Sequence, residues 1–393
     1  MKNRYLSGIS RNIILLGIVS FLNDISSEMI MPILPMFLTA LGGTGLVIGL
    51  VGGLMESASS ILKVISGYLS DKIGKRKIFV SFGYLTSAIC KLFLAFSKIW
   101  QHVLVFSSLE RVGKGLRTAP RDAILADSMP QERGRGFGIH RAMDTSGAIV
   151  GSIIVFLLFW FFGFDFKSII IIAAILAFIS LIPLYFVKEK KREPQNVTLK
   201  IGLKNLSRPL KSFIFISFIF ALANFSYMFF ILRAQEFFTG KLSTGIPIIL
   251  YVLFNIFYAL FAIPFGILSD KIGRKKAIIL GYLLFSLTCL GFIFSHSLIT
   301  FVILFSLYGL MYAIVDGNQR AFISDLSQEE LRATALGTFH TAIGLAALPA
   351  GLIAGFFWQI NPSITFIYGA VVSIIPVALF LAFGETFKMV KQF

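Results

Sequence analysis

Apolar stretches long enough to cross a lipid bilayer recur twelve times along this 393-residue chain, and nothing else in it restricts the fold so strongly. They fall at about 12–41, 46–69, 78–97, 101–120, 136–162 and 168–187, and again at about 211–236, 246–268, 277–295, 298–319, 335–358 and 363–384. Inside a bilayer the backbone has no water to bond to. Each crossing must satisfy its own N–H and C=O groups, which a helix of about 20 apolar residues does. Only 14% of the residues are charged, where a soluble globular chain carries roughly 25%. A soluble enzyme, a disordered protein, a coiled coil and a disulfide scaffold are excluded on this ground. Cys90 and Cys289 both lie inside apolar stretches, so neither a disulfide framework nor a thiolate metal site is expected. Residues 1–21 run from basic to apolar as a signal peptide would, but no small-residue cleavage site follows, and the segment reads as a retained first helix. The fold class is an all-α polytopic membrane protein with 12 transmembrane helices.

A polar stretch, 188–211, divides the spans six and six. It opens on the charged run Lys188, Glu189, Lys190, Lys191, Arg192, Glu193 before Pro194, and it is too short to fold by itself. The expected organisation is an N-terminal six-helix bundle over 1–187, a connector over 188–211 and a C-terminal six-helix bundle over 212–393. A formal net charge of +17 would suit a nucleic-acid binder, but its distribution says otherwise. With the N-terminus inside, 26 of the 36 Lys and Arg fall on inner loops and tails, and only Lys98, Lys167 and Lys241 on outer ones. Cytoplasmic loops retain basic residues during insertion. Both termini and the connector are therefore expected in the cytoplasm, the chain in the cell (plasma) membrane, and nucleic acid is not an expected partner.

The chain also repeats itself. Residues 67–77 read GYLSDKIGKRK and residues 266–276 read GILSDKIGRKK, identical at eight of eleven positions, 199 residues apart. Gly-Tyr-Leu follows each copy, at 83–85 and 281–283. This is a duplicated six-helix unit with both copies inserted the same way round. Gly67 and Gly266 lack a Cβ, so their helices are expected to approach a neighbour closely. Asp71 and Asp270 sit where an acid can accept hydrogen bonds from a helix N-terminus. The basic residues after them, Arg76 and Arg274 included, hold the loop at the anionic inner surface. The expectation is an inner-gate latch, formed when the cavity faces outward and broken when it faces inward.

The loop Gly-x-Leu-x-Asp-Lys-x-Gly-Lys-Arg-Lys between spans 2 and 3 resembles the signature loop of the major facilitator superfamily, and its echo between spans 8 and 9 stands where that family has one. Arg111, Gly115 and Arg117 in span 4 are similar to the family's R-x-x-x-G-x-R, with Lys114 in place of the usual polar amide. Gly147 and Gly151 in span 5 match a fragment of its glycine-rich antiporter motif, without the usual proline. The resemblance covers the whole chain. It implies two six-helix bundles and secondary active transport by alternating access. The span-1 acids with the span-4 arginine resemble small-molecule and drug antiporters, which implies proton-coupled export of a small organic molecule. Uptake by symport or uniport on the same fold is the alternative.

Charged residues inside spans are costly and mark function. Asp24 lies about 12 residues from the inner end of span 1, roughly 18 Å at 1.5 Å per residue, and Glu28 is one turn further on. Glu56 stands near the middle of span 2, Glu110, Arg111 and Lys114 in span 4, and Arg141 and Asp144 nearer the inner side of span 5. Asp24 or Glu28, paired with Arg111, is expected to carry the coupling proton, with Glu56 and Asp144 next. Glu110 and Lys114 can neutralise each other at i,i+4. Lys63 and Lys91 receive no role, and His140 and His340 are expected to pack or to serve a gate. Arg117, Asp316 and Arg320 are candidates for the inner gate. Pro32 and Pro35 should let the outer half of span 1 bend.

Other chemistry finds no support. Gly-Lys at 74–75, 113–114 and 240–241 is never followed by Ser or Thr, so there is no phosphate-cradling loop. No H-E-x-x-H, nucleophile elbow or His/Cys cluster occurs, and neither an enzyme, a cofactor nor a metal is expected. A membrane-embedded enzyme would need a dyad that is not readable, and a transport-dead sensor a longer tail than the nine residues after Gly384. The expected partners are a small-molecule substrate, protons and the lipid bilayer, with the chain acting as a monomer.

Overall fold

A computed structural model describes residues 9–189, 206–328 and 331–383. Most of the expected connector lies outside the described residues, as do both chain ends. Every regular element described is a helix. The first copy supplies α1 (Arg11–Ile30), α2 (Leu34–Ala40), α3 (Gly45–Ile73), α4 (Arg76–Ala95), α5 (Trp100–Ser128), α6 (Arg133–Trp160), α7 (Phe166–Ile179) and α8 (Leu181–Tyr185). The second supplies α9 (Arg208–Ala223), α10 (Met228–Gln235), α11 (Leu242–Ile272), α12 (Arg274–Phe294), α13 (Leu298–Leu326), α14 (Arg332–Ile360) and α15 (Pro362–Ala382).

Eleven helical stretches among the described residues are long and apolar enough to cross a membrane, with α7–α8 and α9–α10 each forming one stretch. The chain is a multi-pass membrane protein. The 29-residue α5 is long enough, but Glu110, Arg111, Lys114, Arg117, Arg121, Asp122 and Asp127 keep it out of that apolar set.

Local chemistry sets the helix ends. The Asp165 carboxylate accepts the Ser168 N–H at 3.0 Å where α7 begins, and Ser297 and Thr300 close a reciprocal capping box on α13, each satisfying donors that have no partner in the first turn. Pro362 stands in the first turn of α15, where its missing N–H costs nothing. Span 1 breaks as its prolines imply: α1 stops at Ile30, a turn follows, and α2 resumes at Leu34.

Two compact units result, Met1–Ile33 with Ile61–Leu199 and Leu34–Ser60 with Lys200–Phe393, so one boundary falls inside α3. The same packing scheme occurs in each unit. In the first, α1 packs on α6 and α7, and α4 on α5 and α7; in the second, α9 packs on α14 and α15, and α12 on α13 and α15. The duplication read in the sequence is thus a duplication of contacts.

The first core is aliphatic, built on Ile13, Leu16, Val19, Val80, Ile124 and Leu125 around Tyr84. The second is aromatic. Phe230 meets Tyr308 at 4.2 Å, Phe292 at 5.0 Å and Phe366 at 5.3 Å between ring centroids, pairs worth about 0.5–1.5 kcal/mol each beyond their buried area. In the same unit α3 and α14 touch backbone to backbone. A Cβ on Gly49 would collide with the Gly351 carbonyl oxygen, and one on Gly351 with that of Gly49. Only residues without side chains allow this approach.

Candidate functional site

Ser20, Asp24 and Ser27 recur at helical spacing on α1, and their partners come from three other helices of the first unit. The Ser20 hydroxyl lies 3.1 Å from the Tyr84 hydroxyl on α4 and 2.9 Å from His140 Nε2 on α6, and it accepts from Arg121 Nη1 at 3.1 Å. His140 is thus buried and held by the Ser20 hydroxyl. One turn on, the Asp24 carboxyl group is a close electrostatic neighbour of that of Asp144 on α6. Two ionised carboxylates offer only acceptors, so the two groups hydrogen-bond only when one of them carries a proton. Asp144 also accepts from Arg141 Nη1 at 3.0 Å and stands 4.0 Å from Arg121 Nη1.

The sequence pairs Asp24 or Glu28 with Arg111; of the two, the structure sets Asp24 beside Asp144. The reason is helix adjacency, since α6 runs along α1 and brings up an acid 120 positions away. Arg111 stands 3.3 Å from Glu110, Nε to Oε2, and its Nη2 reaches Met31 Sδ at 2.8 Å. The ion-pair partner of Glu110 is thus Arg111 and not Lys114. Glu28 lies half-buried one turn beyond Asp24.

Lys91, to which the sequence assigns nothing, is 1% exposed. Its ammonium donates to Ser26 Oγ and Ser27 Oγ, both at 2.9 Å, and Ser26 in turn donates to the Ala173 carbonyl at 2.5 Å. The adjacent hydroxyls on span 1 are the signal that could have identified it. Arg117, expected at an inner gate, is 2% exposed. It donates to Ser87 Oγ at 2.6 Å and lies 4.3 Å over the Tyr84 ring, a strut between α4 and α5.

The repeated loops form matching ion-pair systems. Arg76 grips Asp71 through Nη2 at 2.6 Å and Nε at 3.1 Å, and Asp127 through Nη1 at 2.8 Å. Arg274 pairs with Asp270 at 2.6 Å and Asp325 at 2.9 Å, and its Nη1 donates to Ser269 Oγ at 2.8 Å. Asp127 and Asp325 were not anticipated. They are 198 residues apart, as are Arg76 and Arg274, whereas the ungapped repeat aligns Arg274 with Lys75. The first copy has one more residue between its positive-φ glycine (Gly74, φ 72°) and its helix than the second (Gly273, φ 95°), so a search at the shifted spacing would have found both acids.

The acid at the N-terminus of α4 is Glu189, not Asp71. Its carboxylate accepts the backbone N–H groups of Arg76 and Lys77, the latter at 3.2 Å. Asp71 belongs to the last turn of α3 and is held by a side chain instead. A polar cavity of about 160 Å³ lies here, lined by Asn12, Arg76, Asp127, Lys188 and Glu189 among others. Gly67 approaches a neighbour as expected, since a Cβ there would stand 3.2 Å from Ala119 Cβ. Gly266 does not, with nothing within 4 Å of that position.

In the second unit Asp316 and Arg320 form an i,i+4 ion pair, and the Tyr258 hydroxyl donates to Asp316 Oδ2 at 2.8 Å. Glu56 is exposed and accepts from Ser60 Oγ at 3.0 Å. Among the described residues no three His, Cys, Asp or Glu side chains converge as metal ligands do.

Comparison with known proteins agrees with this architecture. Residues 16–248 and 213–391 match the Major Facilitator Superfamily. An uncharacterized MFS-type transporter of Methanocaldococcus jannaschii is 57% identical over 95% of each chain. A multidrug resistance protein, MdtH, of Aeromonas hydrophila is 27% identical over 40% of each chain. Among solved structures, the nucleoside transporter NupG superposes with a TM-score of 0.78 at 18% identity, covering 96% of this chain and 99% of that one. The POT family transporter PepTSo superposes with a TM-score of 0.81 at 12% identity, covering 97% and 99%. At these identities the structural likeness speaks for the fold.

Proposed function

The chain belongs to the Major Facilitator Superfamily, and from that premise we propose that it is a secondary active transporter that exports a small organic molecule in exchange for protons. In this reading α5 is the twelfth crossing, the spans form two six-helix bundles that alternate access, and both termini and the connector face the cytoplasm of a cell whose plasma membrane holds the protein. The arginine-centred loops around Asp71 and Asp270 act as inner-gate latches. The local likeness to a multidrug resistance protein supports export.

One observation carries the coupling: the Asp24 and Asp144 carboxyl groups are close neighbours, with Arg121 and Arg141 beside Asp144. In this reading the two share a proton, and removing it leaves two adjacent carboxylates that repel. Asp144 then turns to its two guanidinium neighbours, which frees Asp24 and alters the α1–α6 contact. Linkage makes the effect reciprocal: if substrate favours release of that proton, protons weaken substrate binding by the same factor.

The test is a panel of small organic solutes offered to proteoliposomes under an imposed pH gradient. At least one solute should accumulate against its gradient and cease to do so when the pH gradient is collapsed. Asp24→Asn and Asp144→Asn should each abolish the pH-driven accumulation while keeping solute exchange. Accumulation indifferent to the pH gradient, or uptake driven in the direction of proton entry, would overturn proton-coupled export.

A further inference from the structure

The second unit breaks a membrane-spanning helix where no proline requires it. Within the apolar stretch 208–235, α9 ends at Ala223 and α10 begins at Met228, and the residues between are Asn224, Phe225, Ser226 and Tyr227. At membrane depth such backbone persists only where protein buries it or where it lines a cavity, and in transporters interrupted helices mark binding sites. Asn224 adds a second sign: its Oδ1 is buried without a hydrogen-bond partner, while its Nδ2 reaches the Tyr312 hydroxyl at 3.5 Å.

The aromatic rings around the break divide into two sets. Phe225, Phe229, Phe230 and Tyr308 are fully buried and form the core behind it. Tyr227, Tyr258 and Tyr312 are only partly buried, and the hydroxyls of the last two are hydrogen-bonded, Tyr258 to Asp316 and Tyr312 to Asn224. Tyr258 and Tyr312 stand 6.0 Å apart between centroids.

A carboxylate completes the group. Gly52 of α3 packs against the break, since a Cβ there would stand 2.5 Å from Ser226 Oγ, and Glu56 is one turn further along the same helix. Glu56 and Asp316 both act electrostatically on Tyr312. Asp316 is neutralised by Arg320, whereas Glu56 is held by the Ser60 hydroxyl and enters no ion pair among the described residues. Glu56 is thus an exposed carboxylate outside any ion pair among the described residues, beside three partly buried tyrosine rings.

We propose that this face of the second unit is a substrate-recognition face, and that it takes an organic cation with an aromatic or bulky apolar body. The inference rests on the transporter reading and supplies its substrate class. The cation stands against Glu56 and the Tyr312 and Tyr258 rings, whose quadrupoles attract positive charge, and an anion of the same shape is repelled by Glu56.

The experiment is equilibrium binding of tetraphenylphosphonium to the full chain in nanodiscs, with empty nanodiscs subtracted and tetraphenylborate as the anion of matching shape. Saturable tetraphenylphosphonium binding, not displaced by tetraphenylborate, is expected. Glu56→Gln and Tyr312→Leu should each weaken it about tenfold, and Tyr312→Phe by less than about threefold because the ring face remains. Equal affinity for both ions, or an unchanged affinity in Glu56→Gln, would overturn the proposal. It would leave the proton-coupled reading standing, because that one is decided by pH-driven accumulation.

Discussion

Arg76 and Arg274 occupy equivalent places, each gripping two acids, but Arg76 is more deeply set: its side chain is 10% exposed against 24% for Arg274. Breaking a buried pair strands the partner charges and costs about 3–5 kcal/mol, while exposed pairs are worth about 0–1 kcal/mol. Arg76→Gln should therefore destabilise the folded protein by about 3 kcal/mol and Arg274→Gln by about 1 kcal/mol, read as thermal unfolding in detergent. Equal losses would mean that exposure is not the deciding variable. Lys91 gives a sharper contrast. Lys91→Met removes a buried charge and leaves two serines that can bond their own helix, whereas Ser26→Ala with Ser27→Ala strands a buried ammonium. The double serine variant should unfold at the lower temperature, and the opposite order would show that the serines do not solvate Lys91. At this scale the sequence was informative about which residues matter and weak on their partners. Asp24 and Asp144 were legible as charges in costly places, and Asp71 as part of the repeated loop. That Asp24 meets Asp144, and that Asp127 completes the Arg76 system, depends on which helices lie side by side, which no local spacing records.

Among the elements, the contact between α3 and α14 is the one most sensitive to a single atom. Gly49 and Gly351 each present their carbonyl where the other would carry a Cβ, and near the end of the same seam Gln359 Nε2 donates to Thr44 Oγ1 at 2.9 Å. Overpacking a tight contact costs typically about 1–3 kcal/mol. Gly49→Val is expected to drive the two helices apart, so that a Thr44→Cys/Gln359→Cys pair, which should cross-link readily in the unaltered background, loses most of its cross-linking yield. Undiminished cross-linking would mean that the helices accommodate the added methyls without separating. The break in span 1 could be read in advance because Pro32 and Pro35 remove backbone donors there. The break at Asn224–Tyr227 could not, since it is made by tertiary surroundings and carries no breaker residue.

For the whole molecule, the helical membrane class and the duplication were legible because both are periodic over long stretches, and averaging over many residues suppresses local noise. The exception is α5, where the apolar pattern is diluted by seven charges; Glu110, Arg111 and Arg117 among them are buried against neighbouring helices, so their cost is met inside the protein and not by lipid. Orientation is a property of the charge distribution over all loops together. With 26 Lys and Arg on one set of loops and three on the other, inverting the chain would place the basic majority on the side from which the insertion machinery holds such residues back. The prediction uses one cysteine on each side. Phe164→Cys, in the turn between α6 and α7 and 37% exposed, should react with a membrane-impermeant maleimide in intact cells. Gln195→Cys, in the connector, should react only after the membrane is opened. The native Cys90 and Cys289 are both buried and should contribute little background, so the unaltered chain serves as the blank. Labelling of position 195 from outside, with position 164 silent, would reverse the topology and place the Asp71 and Asp270 latches on the outer face.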